Sequence, residues 1–300
     1  MPTQIAPGSA ATSQPTRQIF RGEVLTKFFT YTGNLASTAT GGDGTQLGSG
    51  AIGTRVLIPI AGEADFAIVK TAALADNYGA KVQMLITPVN EQLQIAPCFL
   101  SSFGSGRLPK VYTPPWYVSR SAVITLIFDD RQLVAGAQNV FVALHGLKVF
   151  RTPFLPARSY AAQKQYAYIA NFTADDGGVG ALASNGTAWA TVRTDGDSDF
   201  EVTKLSVLSD GPVKLQIQSD GDYWMNSALR GELLSGSNIE HPEGAGVVGG
   251  SGEFPFVLPV PRIVTGGGYL SVFATDLSGA GNRCQVIFHG PRLYPAGGLS

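Results

Sequence analysis

Ala64-Asp65-Phe66-Ala67-Ile68-Val69-Lys70 opens a stretch running to Leu85 that the chain restates at Ser198-Asp199-Phe200-Glu201-Val202-Thr203-Lys204, running to Gln218. Asp65, Phe66, Lys70, Leu74 and Asp76 reappear 134 positions later as Asp199, Phe200, Lys204, Leu208 and Asp210. The run Lys81-Val82-Gln83-Met84-Leu85 returns, one residue out of step, as Lys214-Leu215-Gln216-Ile217-Gln218. A unit this long is a domain and not a solenoid repeat, so the chain is a duplicated pair.

Working outward, Val123-Ile124-Thr125-Leu126-Ile127 matches Tyr269-Leu270-Ser271-Val272-Phe273, and Asp130 matches Asp276. Each half ends on the same signature: Leu144-His145-Gly146-Leu147-Lys148-Val149-Phe150 against Phe288-His289-Gly290-Pro291-Arg292-Leu293-Tyr294. The offset has grown to 144 there, so the second half carries about ten more loop residues, where insertions are tolerated.

Composition agrees with two cores. The 300 residues are 44% hydrophobic and only 14% charged, against about 25% charged in an average soluble domain. So few charges imply a surface largely covered by partners. The net charge of −1 leaves no footprint for nucleic acid. Gly 37 and Pro 18 punctuate segments rich in β-branched and aromatic residues, which predicts an all-β protein. Turns every 8–12 residues specify β-sandwiches of jelly-roll or Greek-key connection.

The expected organisation is an extended N-terminal arm (1–18), a first sandwich (19–150), a linker (151–165), a second sandwich (166–294) and a tail (295–300). The arm is Pro, Ser, Ala, Thr and Gln, too poor in apolar residues to order itself, and is expected to lie on a neighbouring subunit or another protein. Within the linker, Ala161-Ala162-Gln163-Lys164 is the one stretch that reads as a helical turn. No signal-peptide pattern or membrane-length apolar run is present, so the chain is expected to fold in a cytoplasm and Asn171 and Asn185 to carry no sugar. Cys98 and Cys284 read as buried free thiols in preference to a disulfide.

Residues that carry chemistry are sparse. His145 and His289 share a repeat position, which points to a fold role: an imidazole held by a backbone carbonyl beside a glycine of special backbone angles. His241, next to Glu243, makes a poor metal site. Asp175-Asp176-Gly177-Gly178 and Asp195-Gly196-Asp197-Ser198-Asp199 could offer oxygens to Ca²⁺, but no helix flanks the second and no Glu follows at its twelfth position, so both read as turns. No nucleophile elbow is present. No catalytic, metal or cofactor residue is therefore assigned.

The candidates for interaction are Arg17 and Phe20 where the arm meets the first strand, Tyr112, Trp116 and Tyr117 around Pro114-Pro115, and Tyr223 and Trp224 at the start of the second long loop. Such aromatics could anchor a partner protein or, on a lectin-like sandwich, stack on sugar rings; equally, Trp116 and Trp224 could cap their own sandwiches.

The paired sandwiches, the Gly/Ala/Thr-rich composition, the arm and the two closing strands Leu144-His145-Gly146-Leu147-Lys148 and Phe288-His289-Gly290-Pro291-Arg292 together resemble structural proteins of tailed-bacteriophage virions. The likeness is to small β-rich proteins of the head exterior or the head-to-tail neck. It implies a non-enzymatic decoration, cement or collar role in the virion, with major capsid or neck proteins and further copies of the chain as partners in a homo-oligomer. The alternative expectation is a carbohydrate-binding or host-adhesion module, which requires Trp116 or Trp224 on an open concave face.

Overall fold

The structure is a computed structural model, and it describes residues 25–40, 42–76, 79–88, 91–92, 94, 96–105, 108–130, 136–150, 160–173, 178–234 and 255–296. The arm with Arg17 and Phe20, residues 151–159 of the expected linker, Asp175 to Gly177, and the loop bearing His241 lie outside the described residues.

The front half contributes β1 (Leu25–Leu35), β2 (Thr54–Pro59), β3 (Asp65–Ala75), β4 (Ala80–Thr87), β5 (Glu91–Gln92), β6 (Cys98–Phe99), β7 (Lys110–Val118), β8 (Val123–Asp130) and β9 (Val140–Phe150). The back half contributes β10 (Tyr160–Phe172), β11 (Thr187–Arg193), β12 (Asp199–Ser209), β13 (Val213–Ser219), β14 (Asp222–Tyr223), β15 (Leu229–Arg230), β16 (Phe256–Val264), β17 (Tyr269–Asp276) and β18 (Cys284–Pro295). The rest of the regular structure among the described residues is three short 3-10 turns, at Thr38–Thr40, Leu100–Phe103 and Gly231–Leu233. No helix among the described residues is long and apolar enough to cross a membrane.

The protein is thus nearly all β, in four antiparallel sheets. Front-half strands are ordered β1-β9-β3-β7 and β2-β8-β4-β5, with β6 also on β4. Back-half strands are ordered β10-β18-β12-β16 and β11-β17-β13-β14, with β15 also on β13. Adding nine to each front-half strand number reproduces the back half. The pairing register agrees with the repeat in the chain, since Lys70 faces His145 across β3 and β9, and Lys204 faces His289 across β12 and β18.

Period-two alternation builds each core. Along β4 and β13 every second side chain is buried, Ala80, Val82, Met84 and Ile86 in one and Val213, Leu215 and Ile217 in the other. Phe66, Phe128 and Leu144 centre the front core, and Phe200, Val272 and Phe288 the back one.

Some sequence expectations need correction. Ala161 to Lys164 is not a helical turn but the first part of β10, paired to β18 through Ala162 opposite Tyr294. Helix propensity is a weak prior there, and an open ladder edge on β18 overrides it. Tyr112, Trp116 and Tyr117 lie not in a loop but on β7, whose edge position accommodates Pro114 and Pro115 because one side of its ladder needs no donors. Both cysteines are free, Cys284 buried and Cys98 half-buried.

The paired His-Gly signature has a different cause from the one its composition implied. Neither glycine adopts a positive φ. Strands β3 and β12 each carry a bulge opposite the signature, between Ile68 and Lys70 and between Phe200 and Lys204. The bulge drives a carbonyl into the neighbouring strand, so a Cβ on Gly146 would collide with the Ala67 oxygen and one on Gly290 with the Glu201 oxygen.

Candidate functional site

The repeated polar residues do the same structural work in both halves. Asp65 Oδ1 accepts the Arg120 amide at 2.9 Å, and Asp199 Oδ1 accepts the Gly266 amide at 2.9 Å, each tying the turn between the seventh and eighth strands of its half. Asp76 and Asp210 accept the amides of Asn139 and Arg283, one residue before β9 and β18. Asp130 and Asp276 hold the amides of Gly50 and Asn185 in the loops that lead to β2 and β11. A carboxylate accepting backbone N–H bonds at a turn is a fold device.

The same holds for the basic residue of each closing strand. Lys148 Nζ pairs with Glu63 at 2.6 Å, and Arg292 pairs with Asp197 and, at 2.9 Å, with Asp195. Glu63 and Asp197 are themselves 134 apart. That signal lay in the sequence, two residues before the repeat was first recognised. The Asp195 to Asp199 run therefore spends its oxygens on protein donors: beside the Arg292 pairs, Asp195 accepts the Tyr168 hydroxyl at 2.8 Å, and Asp199 accepts the Tyr160 hydroxyl at 2.7 Å. Among the described residues no three His, Cys, Asp or Glu side chains are grouped as metal ligands.

The most elaborate chemistry in the molecule joins the two halves. In β1, Phe28 to Gly33 are buried without alternation, as are Val140 to Gly146 in β9, because the outer face of this sheet is covered by the back half. Phe28, Ala72, Phe141 and Ala143 belong to the back half's core cluster. Trp224 is the centre of the contact. Its indole N–H donates to Ser219 Oγ at 3.0 Å, its ring meets Phe28 and Phe288 edge-on, and the Arg262 guanidinium covers it at 5.1 Å. Its backbone extends the front sheet: the Thr30 amide donates to the Trp224 carbonyl at 2.9 Å, and the Asn226 amide to the Thr30 carbonyl at 3.2 Å.

Charged groups at this joint are matched. Arg262 donates to the Phe28 carbonyl at 3.2 Å and to Asp222 at 2.9 Å, and Asp222 also takes Lys27 at 3.0 Å. Burial pushes Arg262 down to about 10, against the pull of Asp222. Lys70 Nζ donates to the Val257 carbonyl at 3.0 Å with its charge over the Phe256 ring; its pKa is lowered by burial. Fully buried His145 lies 3.0 Å from the Thr30 hydroxyl and 3.0 Å from the Leu233 carbonyl. Only the neutral tautomer with hydrogen on Nε2 satisfies both, Nε2–H donating to Leu233 and Nδ1 accepting from Thr30. Burial holds its pKa down at about 3. The backbone carbonyl expected for this histidine is present, but it comes from the other half of the chain. His289 sits at the same repeat position on an uncovered face and bonds Ser206 Oγ at 3.0 Å instead.

The aromatic candidates divide accordingly. Trp224, which the sequence left open between an exposed anchor and a cap on its own sandwich, is fully buried, because the backbone at Trp224 and Asn226 pairs with Thr30 of β1. Tyr112 and Trp116 are half-buried against the front core. Tyr117 and Tyr223 are exposed. The sugar-stacking expectation therefore loses the anchor at Trp224. The residues that sequence reasoning missed are Thr30, Asn226 and Arg262, whose role depends on a contact between the two halves that no local pattern encodes.

No protein-family model matches the sequence, and no curated protein matches it significantly. Among solved structures the chain is similar to the major capsid protein P2 of bacteriophage PM2, at 11% identity over 92% of this chain and 100% of that one, with a TM-score of 0.24. It is also similar to a structure of Sulfolobus Turreted Icosahedral Virus, at 9% identity over 92% and 98%, TM-score 0.20. A peptide-N(4)-(N-acetyl-beta-D-glucosaminyl) asparagine amidase follows at 11% identity over 88% and 99%, TM-score 0.21. At TM-scores this low the similarities carry no argument, and the reading below rests on the chain's own residues.

Proposed function

We propose that this chain is a non-enzymatic structural protein of a virion. In this reading it comprises two tandem jelly-roll sandwiches, 19–150 and 166–294, preceded by an arm at 1–18 and joined through 151–165. In each half the first strand lies beside the last and the chain wraps from one sheet to the other, the order that a jelly roll requires. Copies decorate or stabilise the capsid exterior or the head-to-tail neck by protein–protein contacts.

The observation that carries the reading is the destination of the ionisable and aromatic groups. The repeated aspartates tie turns, Lys148 and Arg292 pair with the acid before the repeat, and His145, Lys70, Arg262 and Trp224 cement one sandwich to the next. An imidazole held neutral by burial, with both ring nitrogens engaged in hydrogen bonds, is adhesive and has no free lone pair for proton transfer. A low-charge surface over two rigid sandwiches suits a component laid side by side with others.

Quantitative mass spectrometry of purified particles of the encoding virus tests this, together with a truncation that starts at Ile19. The expected result is many copies per particle, with the truncated chain folded but left out of particles. A chain found only in the soluble lysate, with none in particles, refutes the reading. Cryo-electron microscopy of the same particles distinguishes a shell-wide decoration from a collar at the neck.

A further inference from the structure

The joint between the halves uses two surfaces, and the chain leaves a second example of each uncovered. The first surface is the outer face of β1-β9-β3, which is buried. Its counterpart on β10-β18-β12 is open: Ala167, Ile169 and Lys204 are exposed and His289 is half-buried, where Thr30, Thr32, Lys70 and His145 are covered. The second surface is the edge formed by β16 and β15 with the Gly231–Leu233 turn, which grips the front half. Its counterpart, β7 and β6 with the Leu100–Phe103 turn, grips nothing among the described residues, and there Phe99, which stands on β4 where Arg230 of the built joint stands on β13, is more than half exposed. The two unused surfaces are the two halves of a contact the chain has already built once. They lie on opposite halves of the repeat, which prevents one molecule from closing them on itself in the way the existing joint is made.

We infer that a second copy of this chain seats its front-half edge, β6 and β7, on the back-half face β10-β18-β12. The inference rests on the reading of the chain as an assembling structural protein, and it specifies which surfaces meet. The contact is heterologous, face to edge, so each copy offers one of each and association continues until a ring closes or a row extends. It also covers β10, an edge strand that among the described residues pairs only with β18.

The second joint is weaker than the first for reasons visible in the register. Ala167 replaces the Thr30 that fixes His145, and Gln285 replaces Phe141. Lys110 takes the place of Phe256, because Thr71 faces Lys110 as Leu205 faces Phe256. In the built joint Phe256 lies beneath Lys70, so in the new one Lys110 meets Lys204, and screening of that repulsion makes the contact tighten as salt is added. A more polar, less permanent contact is what separate subunits use.

Sedimentation velocity of the full chain over a range of concentration and ionic strength tests the inference. Wild type is expected to associate as concentration rises, more tightly in high salt. Ile169→Glu spoils the face and Phe99→Glu the edge; both side chains are exposed, and unchanged melting confirms that the fold is kept. Each variant alone should associate at least about tenfold more weakly, since a desolvated carboxylate is left unpaired. Mixed in equal amounts they should form one-to-one pairs and nothing larger, because Phe99→Glu still offers its face and Ile169→Glu its edge. Wild type that stays monomeric, either variant associating as wild type does, or a mixture that stays monomeric overturns the inference. Any of these would leave incorporation into particles, measured separately, unaffected.

Discussion

Replacing His145 by glutamine should flatten the acid sensitivity of the joint between the halves. His145 has a folded pKa of about 3, whereas an unfolded histidine titrates near 6.5. The folded value is the lower one, so on acidification the unfolded chain takes up the proton first. The stabilisation is complete above pH 6.5 and is lost progressively as pH falls toward 3. Each pH unit in that window is worth about 1.4 kcal/mol, so between pH 7 and pH 5 the group should cost the wild type about 2 kcal/mol. Glutamine keeps an N–H donor near the Leu233 carbonyl and does not titrate. Burial and the Lys204 charge also lower the pKa of His289, so it contributes in the same direction, but it is present in both proteins and cancels in the comparison, as do the carboxylates. Urea unfolding at the two pH values, followed by far-UV circular dichroism, supplies the numbers. Between pH 7 and pH 5 the wild type should lose about 2 kcal/mol more than His145→Gln. Equal losses would refute the claim that the imidazole is held neutral in the joint.

Other outcomes follow from the same contacts. Trp224→Ala leaves a cavity between the sandwiches and uncovers Arg262, and should cost about 3–5 kcal/mol in urea unfolding. Gly146→Ala and Gly290→Ala should each cost about 1–3 kcal/mol, read as a lowered melting temperature, because the new methyl meets a bulge carbonyl that has no room to retreat. Burial pushes the Cys284 thiol up to about 12, so at pH 8 a thiol reagent should modify Cys284 only after denaturant is added, and modify Cys98 first.

Much of the scaffold was legible before any coordinates. The spacing of Asp65, Lys70 and Asp76 against Asp199, Lys204 and Asp210 announced the duplication, and alternation along 81–87 and 213–219 announced strands with one buried face. Those features are local: they depend on period-two geometry and on turns tied by a nearby carboxylate, both encoded within a few residues. The Asp-Phe repeat was visible for the same reason, and so was the Glu63 and Asp197 correspondence.

The joint was not legible. Trp224 reads as a loop aromatic because its burial comes from Phe28, almost two hundred positions earlier, and His145 and His289 read alike because their own strands are alike. What separates them is that Leu233 and Thr30 meet around one and not the other. Local pattern alone encodes an all-β, twice-told chain whose repeated acids serve the fold. Which of two equivalent sheet faces is covered is set in the folded molecule, because covering a face requires apolar area and matched donors from a distant segment, and no local pattern records which segment that will be.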